Sequence, residues 1–194
     1  LMKQNIFRGL GIALITPFTE TGNIDFNAIK RLVEYQISNG ADFLCILATT
    51  GETPCLTAQE CLDVQHFIVN LVNGRVPIVI GCGGNNTAAI VEKLQTGDFK
   101  GIDGILSVCP YYNKPSQEGL FQHFKAIADA TSLPVILYNV PGRTGVNMKA
   151  ETTVRLAKAC ENIVAVKEAS GNLEQVDEIL KNKPDGFAVL SGDD

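Results

Sequence analysis

The chain lacks the residue types and spacings that build several kinds of metal and redox site. It contains no tryptophan and only two histidines, His66 and His123, among its 194 residues. Because a zinc site of three histidines needs more than these two, we do not expect metal-dependent aldol chemistry of the histidine-rich kind. The six cysteines form no Cys-x-x-Cys pair, which argues against zinc ribbons and thioredoxin-type redox motifs. We therefore expect neither a metal nor a cofactor.

Charge and hydropathy are both moderate. The 21 acidic and 16 basic side chains give a net charge of −5, which argues against a basic nucleic-acid surface. No apolar run approaches the roughly 18 residues of a membrane-spanning helix, and the N-terminus shows no secretory signal. Cys45, Cys82 and Cys109 lie in or at the end of apolar runs, where free thiols pack as small hydrophobic groups. We expect a reduced, cytoplasmic protein with a single domain over residues 1–194 and no nucleic-acid or membrane partner.

Short apolar runs recur along the chain, with starts 24 to 34 residues apart. Their apolar character is continuous rather than alternating, which is typical of strands buried on both faces of a parallel sheet. The runs are Gly11–Pro17, Phe43–Ala48, Pro77–Gly81, Gly104–Cys109, Pro134–Asn139, Ile163–Val166 and Phe187–Leu190.

Helical patterns with recognisable caps lie between these runs. Thr57 with Glu60 forms a capping box, and Ser116 and Asn172 each precede a helical stripe. In the last helix the expected stripe is Leu173, Val176, Ile179 and Leu180. The order is thus strand–helix repeated six times and then a seventh strand, which predicts an α/β fold with a parallel sheet and right-handed crossovers.

Two architectures fit this order, a doubly wound sheet and a (β/α)8 TIM barrel. A doubly wound dinucleotide-binding sheet needs a glycine fingerprint after its first strand, and the chain has Thr16-Pro17 there. The glycines at 81, 83 and 84 lack the final glycine of that fingerprint. We therefore favour the barrel, which typically needs about 250 residues. The chain is expected to be truncated after the seventh strand, and to be poorly folded and inactive alone because an open barrel exposes strand edges.

In a barrel, the active site lies at the carboxyl ends of the strands. Lys167 follows the sixth apolar run, and strand alternation predicts that it and Glu168 face opposite ways. Three interpretations remain open: an ion pair with Glu168, a snorkelling surface amine, or a Schiff-base lysine whose neutral amine attacks a carbonyl. Hydroxyl groups at other strand ends, on Tyr138, Thr49 and Tyr112, could relay protons without adding charge.

Two further positions could bind carboxylates. The tight turn Thr49-Thr50-Gly51-Glu52 presents hydroxyl and N–H groups, and Arg143 follows the fifth strand. The structural alternatives are an ordinary strand end for the threonines and interface packing for the Tyr111-Tyr112 pair. The residues at the remaining strand ends are Thr16, Gly83, Asp193 and Asp194.

Four motifs in this order resemble the dihydrodipicolinate synthase (4-hydroxy-tetrahydrodipicolinate synthase) family, a class I pyruvate aldolase group on the (β/α)8 barrel. They are Thr49-Thr50-Gly51-Glu52, Pro110-Tyr111-Tyr112-Asn113-Lys114-Pro115, Tyr138-Asn139-Val140-Pro141-Gly142-Arg143-Thr144-Gly145 and Val166-Lys167-Glu168-Ala169-Ser170-Gly171. N-acetylneuraminate lyase and 2-keto-3-deoxy acid aldolases share the lysine and the tyrosine. The resemblance places Arg143 with the synthases, and an inactive barrel fragment is the third alternative.

The resemblance implies a lyase of lysine and diaminopimelate biosynthesis. Pyruvate would form an imine with Lys167, and the resulting enamine would attack the aldehyde of aspartate semialdehyde. Tyr138 would be the central acid and base, with Thr49 and Tyr112 completing the relay. For the carboxylates, Thr50 and Gly51 would hold that of pyruvate and Arg143 that of the semialdehyde.

The resemblance also implies an assembly and a regulatory site. Tyr112 would reach into the neighbouring subunit's site, in a homotetramer built as a dimer of dimers. Asn85 and Tyr111 match an interface site that binds lysine in some relatives. The positions that match that site's two histidines and glutamate are Ala58, Cys61 and Ala89. Without the carboxylate the ligand's ammonium group loses a counter-charge, so we do not expect strong inhibition by lysine.

Overall fold

Strands and helices alternate along residues 6–192, the part of the chain that the computed structural model describes. The strands are β1 (Gly11–Ala13), β2 (Phe43–Ile46), β3 (Ile78–Gly81), β4 (Gly104–Val108), β5 (Val135–Asn139), β6 (Ile163–Glu168) and β7 (Ala188–Ser191). The helices are α1 (Phe26–Ser38), α2 (Ala58–Val72), α3 (Thr87–Thr96), α4 (Gln117–Asp129), α5 (Pro141–Thr144), α6 (Ala150–Ala159) and α7 (Leu173–Asn182). Asp193 and Asp194, predicted to end the seventh strand, lie outside the described residues.

Two compact units make up this part of the chain. The N-terminal unit consists of Ile6–Gly81 with Asp98–Gly104 and contains β1 to β3 with α1 and α2. Its strands are parallel and in chain order, so that Leu44 lies opposite both Ile12 and Ile78. All four residues of β2 are buried, as the continuous apolar run predicted.

The C-terminal unit consists of Cys82–Gly97 with residues 105–192. It contains β4 from its second residue onward, β5 to β7, and α3 to α7. These strands are also parallel and in chain order. Seven parallel strands with intervening helices are the βα pattern of a (β/α)8 barrel, and the α/β prediction is confirmed. The single-domain assignment for residues 1–194 stays a prediction.

The predicted helix caps are confirmed. The Oγ1 atom of Thr57 accepts a hydrogen bond from the N–H of Glu60, whose carboxylate accepts one from the N–H of Thr57 at 2.8 Å. That backbone hydrogen bond lowers the pKa of Glu60. Ser116 caps α4, and Asn172 caps α7. Each cap satisfies an N–H group that has no partner within its own helix.

Several strand boundaries differ from the predicted runs, among them the ends of β1 and β6. β1 ends at Ala13 rather than at Pro17, although the N–H of Leu14 still donates to the carbonyl of Cys45 at 2.9 Å. β6 extends past Val166 to Glu168, because the pairing with β5 and β7 continues to that point. Lys167 therefore lies within the strand and not after it.

The predicted stripe of α7 is partly wrong. Leu173 is 81% exposed and Leu180 is 49% exposed. The buried residues of this helix are Gln175 and Ile179, one helical turn apart. The side chain of Gln175 makes hydrogen bonds to Asn147 and to the carbonyl of Met148. The inner face of α7 therefore carries the hydrogen-bonded Gln175, whereas periodicity alone predicted Leu173 and Leu180 there.

The predictions of buried thiols at Cys45, Cys82 and Cys109 are confirmed. Between residues 6 and 192, no helix has both the length and the apolar character needed to cross a bilayer.

Candidate active site

Two neighbouring strands of the C-terminal unit bring Lys167 and Tyr138 together. Tyr138 on β5 lies opposite Lys167 on β6 in the parallel register. The Nζ atom of Lys167 lies 4.6 Å from the centroid of the Tyr138 ring. The tyrosine is 9% exposed, and the lysine is half-buried. A charged amine over the face of an aromatic ring is attracted by the ring quadrupole. This cation–π attraction holds the side chains of Lys167 and Tyr138 together.

Gly192, which follows β7, lies close to the aliphatic part of the Lys167 side chain. A Cβ atom at position 192 would lie 2.9 Å from Cε of Lys167 and 2.7 Å from Cβ of Ala169. Any larger residue would displace the lysine, so the close approach requires glycine. Gly192 was not predicted as a site residue, although Ser191-Gly192 directly follows the seventh apolar run.

Glu168 faces away from Lys167, as strand alternation predicts. Its Oε1 atom accepts hydrogen bonds from Nδ2 of Asn139 at 2.9 Å and from the N–H of Ser170 at 3.2 Å. The carboxylate thus bonds to an amide and the backbone rather than to the neighbouring amine, which disfavours an ion pair between Lys167 and Glu168. Asn139 and Glu168 were not singled out as site residues from the sequence.

Cys109 lies beside this carboxylate. Burial, and then the charge of Glu168, raise the pKa of its thiol to about 12. Its Sγ atom lies 3.8 Å from Oδ1 of Asn139. Since the thiolate is the reactive form of cysteine, Cys109 is a packing residue and no competing nucleophile.

The loop after β4 presents two tyrosines. Tyr112 has a left-handed backbone with φ of 71° and is 89% exposed. Its N–H donates to the carbonyl of Thr144 at 2.9 Å, which holds this strained conformation. Tyr111 is 44% exposed, and its carbonyl accepts from Nδ2 of Asn85 at 3.2 Å. The structure therefore brings Asn85 and Tyr111 together.

Arg143 lies on α5, a short helix that directly follows β5. Pro141 begins this helix with its φ already suited to helical backbone. Gly145 ends it in the left-handed conformation, with φ of 77°. The hydroxyl of the buried Thr144 donates within the same turn, to the carbonyls of Val140 and Val146. The helix fixes the backbone of Arg143, whose side chain is exposed.

The remaining predicted residues lie in the N-terminal unit. Thr49–Gly51 forms a 3₁₀ turn directly after β2, with Thr49 and Thr50 exposed and Gly51 buried. The carbonyl of Gly51 accepts a hydrogen bond from Oγ1 of Thr16 at 2.7 Å. The N–H groups of Gly51 and Glu52 donate within the turn, to Ala48 and Thr49. The turn therefore exposes the side chains of Thr49 and Thr50, whose hydroxyls can meet a ligand.

Neither histidine belongs to a metal cluster. His66 contacts Asp98 at 2.8 Å, and Nδ1 of His123 contacts Oγ1 of Thr87 at 2.8 Å. Burial lowers the pKa of His123 to about 4. Across the described residues, no three His, Cys, Asp or Glu side chains are grouped so that they could hold a metal ion.

The chain is similar to known proteins of one family. A family model described as the Dihydrodipicolinate synthetase family matches residues 6–194. The chain is 60% identical over 187 residues to 4-hydroxy-tetrahydrodipicolinate synthase from Parabacteroides distasonis, covering 96% of this chain and 63% of that protein. It is 58% identical to the synthase of the same name from Phocaeicola vulgatus, covering 100% of this chain and 65% of that protein. The chain thus spans less than two thirds of the length of the curated relatives that it matches.

Solved structures are similar over nearly the whole chain. The crystal structure of a dihydrodipicolinate synthase from Bacillus anthracis has a TM-score of 0.91 at 48% identity, covering 95% of this chain and 63% of that one. The chloride-inhibited synthase from Acinetobacter baumannii, complexed with pyruvate, has a TM-score of 0.91 at 42% identity, covering 97% and 64%. These similarities confirm the expected fold class, a (β/α)8 TIM barrel represented here through its seventh strand.

Proposed function

Because the chain belongs to the dihydrodipicolinate synthetase family, we propose that it carries the imine-forming site of a lyase that joins pyruvate to aspartate 4-semialdehyde. The product is 4-hydroxy-tetrahydrodipicolinate, in lysine and diaminopimelate biosynthesis. One observation carries the proposal: the amine of Lys167 lies 4.6 Å above the ring of the buried Tyr138. A lysine beside a hydroxyl-bearing side chain at a strand end is the arrangement that Schiff-base chemistry needs.

In the proposed reaction, Lys167 forms and later breaks one bond to pyruvate. Its neutral amine attacks the C2 carbonyl, and the carbinolamine loses water to give the imine. Loss of a proton from C3 then gives the enamine, whose C3 attacks the aldehyde carbon of the semialdehyde. The amino group of the semialdehyde finally attacks C2 and displaces the lysine, which closes the ring and regenerates the free amine.

Each of these steps moves a proton, and we assign that work to hydroxyl groups. Tyr138 is the central acid and base, because it is the phenol next to Lys167 in the register of the strands. Thr49 and Tyr112 complete the relay. Neutral hydroxyls both donate and accept hydrogen bonds, so they pass protons without placing a second charge beside the iminium ion.

The two carboxylates of the substrates are assigned to different elements. The Thr49–Gly51 turn holds the carboxylate of pyruvate through the exposed hydroxyl of Thr50, with Gly51 packed beneath it. Arg143 holds the carboxylate of the semialdehyde, because a guanidinium binds both oxygens of a carboxylate at once. An arginine fixed on α5 favours the synthase over the related keto-acid aldolases.

We also propose a cytoplasmic homotetramer built as a dimer of dimers. The 89% exposure of Tyr112 supports an interface role, since a large aromatic side chain held outward by a strained backbone is costly without a partner. Asn85 and Tyr111 would belong to a regulatory site at that interface. Ala58, Cys61 and Ala89 supply no carboxylate there, so we propose weak or absent inhibition by lysine.

Reduction with borohydride in the presence of pyruvate tests the central step. Because an open barrel alone is expected to be inactive, the sample is this chain extended to the full length of its relatives. We expect an irreversible pyruvate adduct on the peptide that contains Lys167, detected by mass spectrometry. Lys167→Ala should abolish the adduct while the circular dichroism spectrum stays unchanged. The matched control is Lys158→Ala, at an exposed lysine of α6, which should keep the adduct.

Two results would contradict the proposal. One is a folded sample that gives no adduct, and the other is an adduct that persists in Lys167→Ala. If the adduct forms, aspartate semialdehyde added before borohydride should lower its yield, because the enamine on Lys167 reacts with the aldehyde before it can be reduced. This loss identifies the acceptor.

A further inference from the structure

Asn139 and Glu168 form a second pair on the opposite face of the same two strands. They lie opposite each other in the register, one residue after Tyr138 and Lys167 respectively. Because side chains alternate along a strand, the first pair faces one side of the sheet and the second pair faces the other. Nδ2 of Asn139 donates to Oε1 of Glu168 at 2.9 Å, so the two strands are joined by side chains directly behind the candidate site.

Asn139 also makes hydrogen bonds to the segment that precedes α6. Oδ1 of Asn139 accepts from the N–H of Met148 at 2.9 Å, and Nδ2 of Asn139 also lies 2.8 Å from Oδ1 of Asn147. Gln175 of α7 donates to the carbonyl of Met148 at 3.2 Å. The hydrogen bonds thus connect β5 and β6 to the segment before α6 and to the inner face of α7.

The burial of Glu168 is expensive for the fold. The residue is 4% exposed, and Asn139 is 0% exposed. Among the described residues, Oε2 of Glu168 has no hydrogen-bond partner. A buried carboxylate with one unsatisfied oxygen is generally less stable than an apolar residue of the same size. Stability alone therefore gives no reason for a glutamate at this position, whereas a positioning role does.

We propose that the hydrogen bond between Asn139 and Glu168 is a brace that positions Lys167 against Tyr138. This inference rests on the proposed role of Lys167 as the amine that forms the imine. The brace fixes the end of β6 to the end of β5, and so sets how the lysine stem passes over the tyrosine ring. Glu168 and Asn139 are positioning residues, because they act through their neighbours and face away from the site.

Two substitutions at Glu168 separate a brace from a charge effect. Glu168→Gln removes the charge but keeps an oxygen that can accept from Asn139 and Ser170. Glu168→Asp keeps the charge but shortens the side chain by one methylene, which draws the oxygen away from Asn139. The measurement is the rate of pyruvate trapping on Lys167 by borohydride, together with thermal unfolding of each variant.

We expect Glu168→Gln to trap pyruvate within about twofold of the wild-type rate, and Glu168→Asp to be slower by about tenfold or more, since displacements near 1 Å are costly in catalysis. The reverse order would overturn the brace in favour of the charge. Equal rates in all three proteins, with only the unfolding temperature changed, would reduce the pair to a structural role and overturn it too. If Glu168→Asp does not fold, Asn139→Ser replaces it, with the same expected loss.

An NMR measurement tests the brace without any reaction. The nuclear Overhauser effect between the ε-methylene of Lys167 and the ring protons of Tyr138 should persist in Glu168→Gln and weaken strongly in Glu168→Asp. If the wild type gives this signal but traps no pyruvate, the proposed function is contradicted. The comparison of Glu168→Gln with Glu168→Asp still tests the brace in that case. An effect of equal strength in both variants contradicts the brace.

Discussion

At the scale of single residues, His123 is the side chain whose burial has the clearest consequence for stability. Its folded pKa of about 4 lies below the ordinary value of 6.5 because burial disfavours the charged ring. Between these values the unfolded chain binds a proton that the folded chain does not, so unfolding becomes easier as the pH falls. Between pH 7 and pH 5 this group should remove about 2 kcal/mol of unfolding free energy. Urea unfolding at the two pH values measures the loss.

The variant His123→Gln should lose much less stability over this pH range, because an amide does not titrate and can still bond to Oγ1 of Thr87. His66→Gln, at an exposed histidine beside Asp98, is the matched control and should keep most of the wild-type loss. A pH dependence in His123→Gln equal to that of the wild type would show that other groups are responsible.

At the scale of elements, the capping box of α2 should make a measurable contribution to stability. Thr57 and Glu60 each accept a hydrogen bond from the other's backbone N–H. Thr57→Ala removes one of these acceptors and should cost about 1 kcal/mol of unfolding free energy. Gln59→Ala, which removes only the exposed hydrogen bond to Asp63, should stay within about 0.5 kcal/mol of the wild type. An equal loss in both variants would mean that the cap contributes nothing specific.

The same element shows why some of the fold could be predicted from the sequence. A cap joins residues three positions apart, so its partners are visible in the letters Thr57 to Glu60. The strand ends are different, because the extension of β6 to Glu168 depends on pairing with β5 and β7. The inner face of α7 is likewise set by distant partners, since Gln175 is buried through hydrogen bonds to Asn147 and Met148. Such contacts leave no local pattern.

The candidate site follows the same rule. Lys167 and Tyr138 could be predicted because each interrupts or ends an apolar run at a strand end. The residues that surround them were missed, because Gly192 matters only through its approach to the lysine stem. Asn139 and Glu168 matter only through a hydrogen bond between strands, which the register creates.

At the scale of the whole molecule, the position of Tyr112 makes the proposed assembly testable. If its hydroxyl serves the neighbouring subunit, each active site combines Lys167 of one subunit with Tyr112 of the other. The variants Lys167→Ala and Tyr112→Phe then remove groups that come from different subunits. A mixed dimer of the two variants then contains one site with an intact Lys167 and an intact Tyr112 from the partner. Random mixing of inactive parents should restore about a quarter of the wild-type rate of the proposed condensation, since half of the dimers are mixed and each has one good site.

The result distinguishes the two possible arrangements of the relay. If Tyr112 instead serves its own subunit, both sites of a mixed dimer carry a defect and mixing restores nothing. Mixing Lys167→Ala with Tyr138→Phe is the matched control, because Tyr138 lies beside Lys167 of the same chain. In that mixture each wild-type copy of Lys167 is next to an altered residue 138, so no activity should return. Restoration by Tyr112→Phe but not by Tyr138→Phe would place Tyr112, and not Tyr138, across the subunit interface.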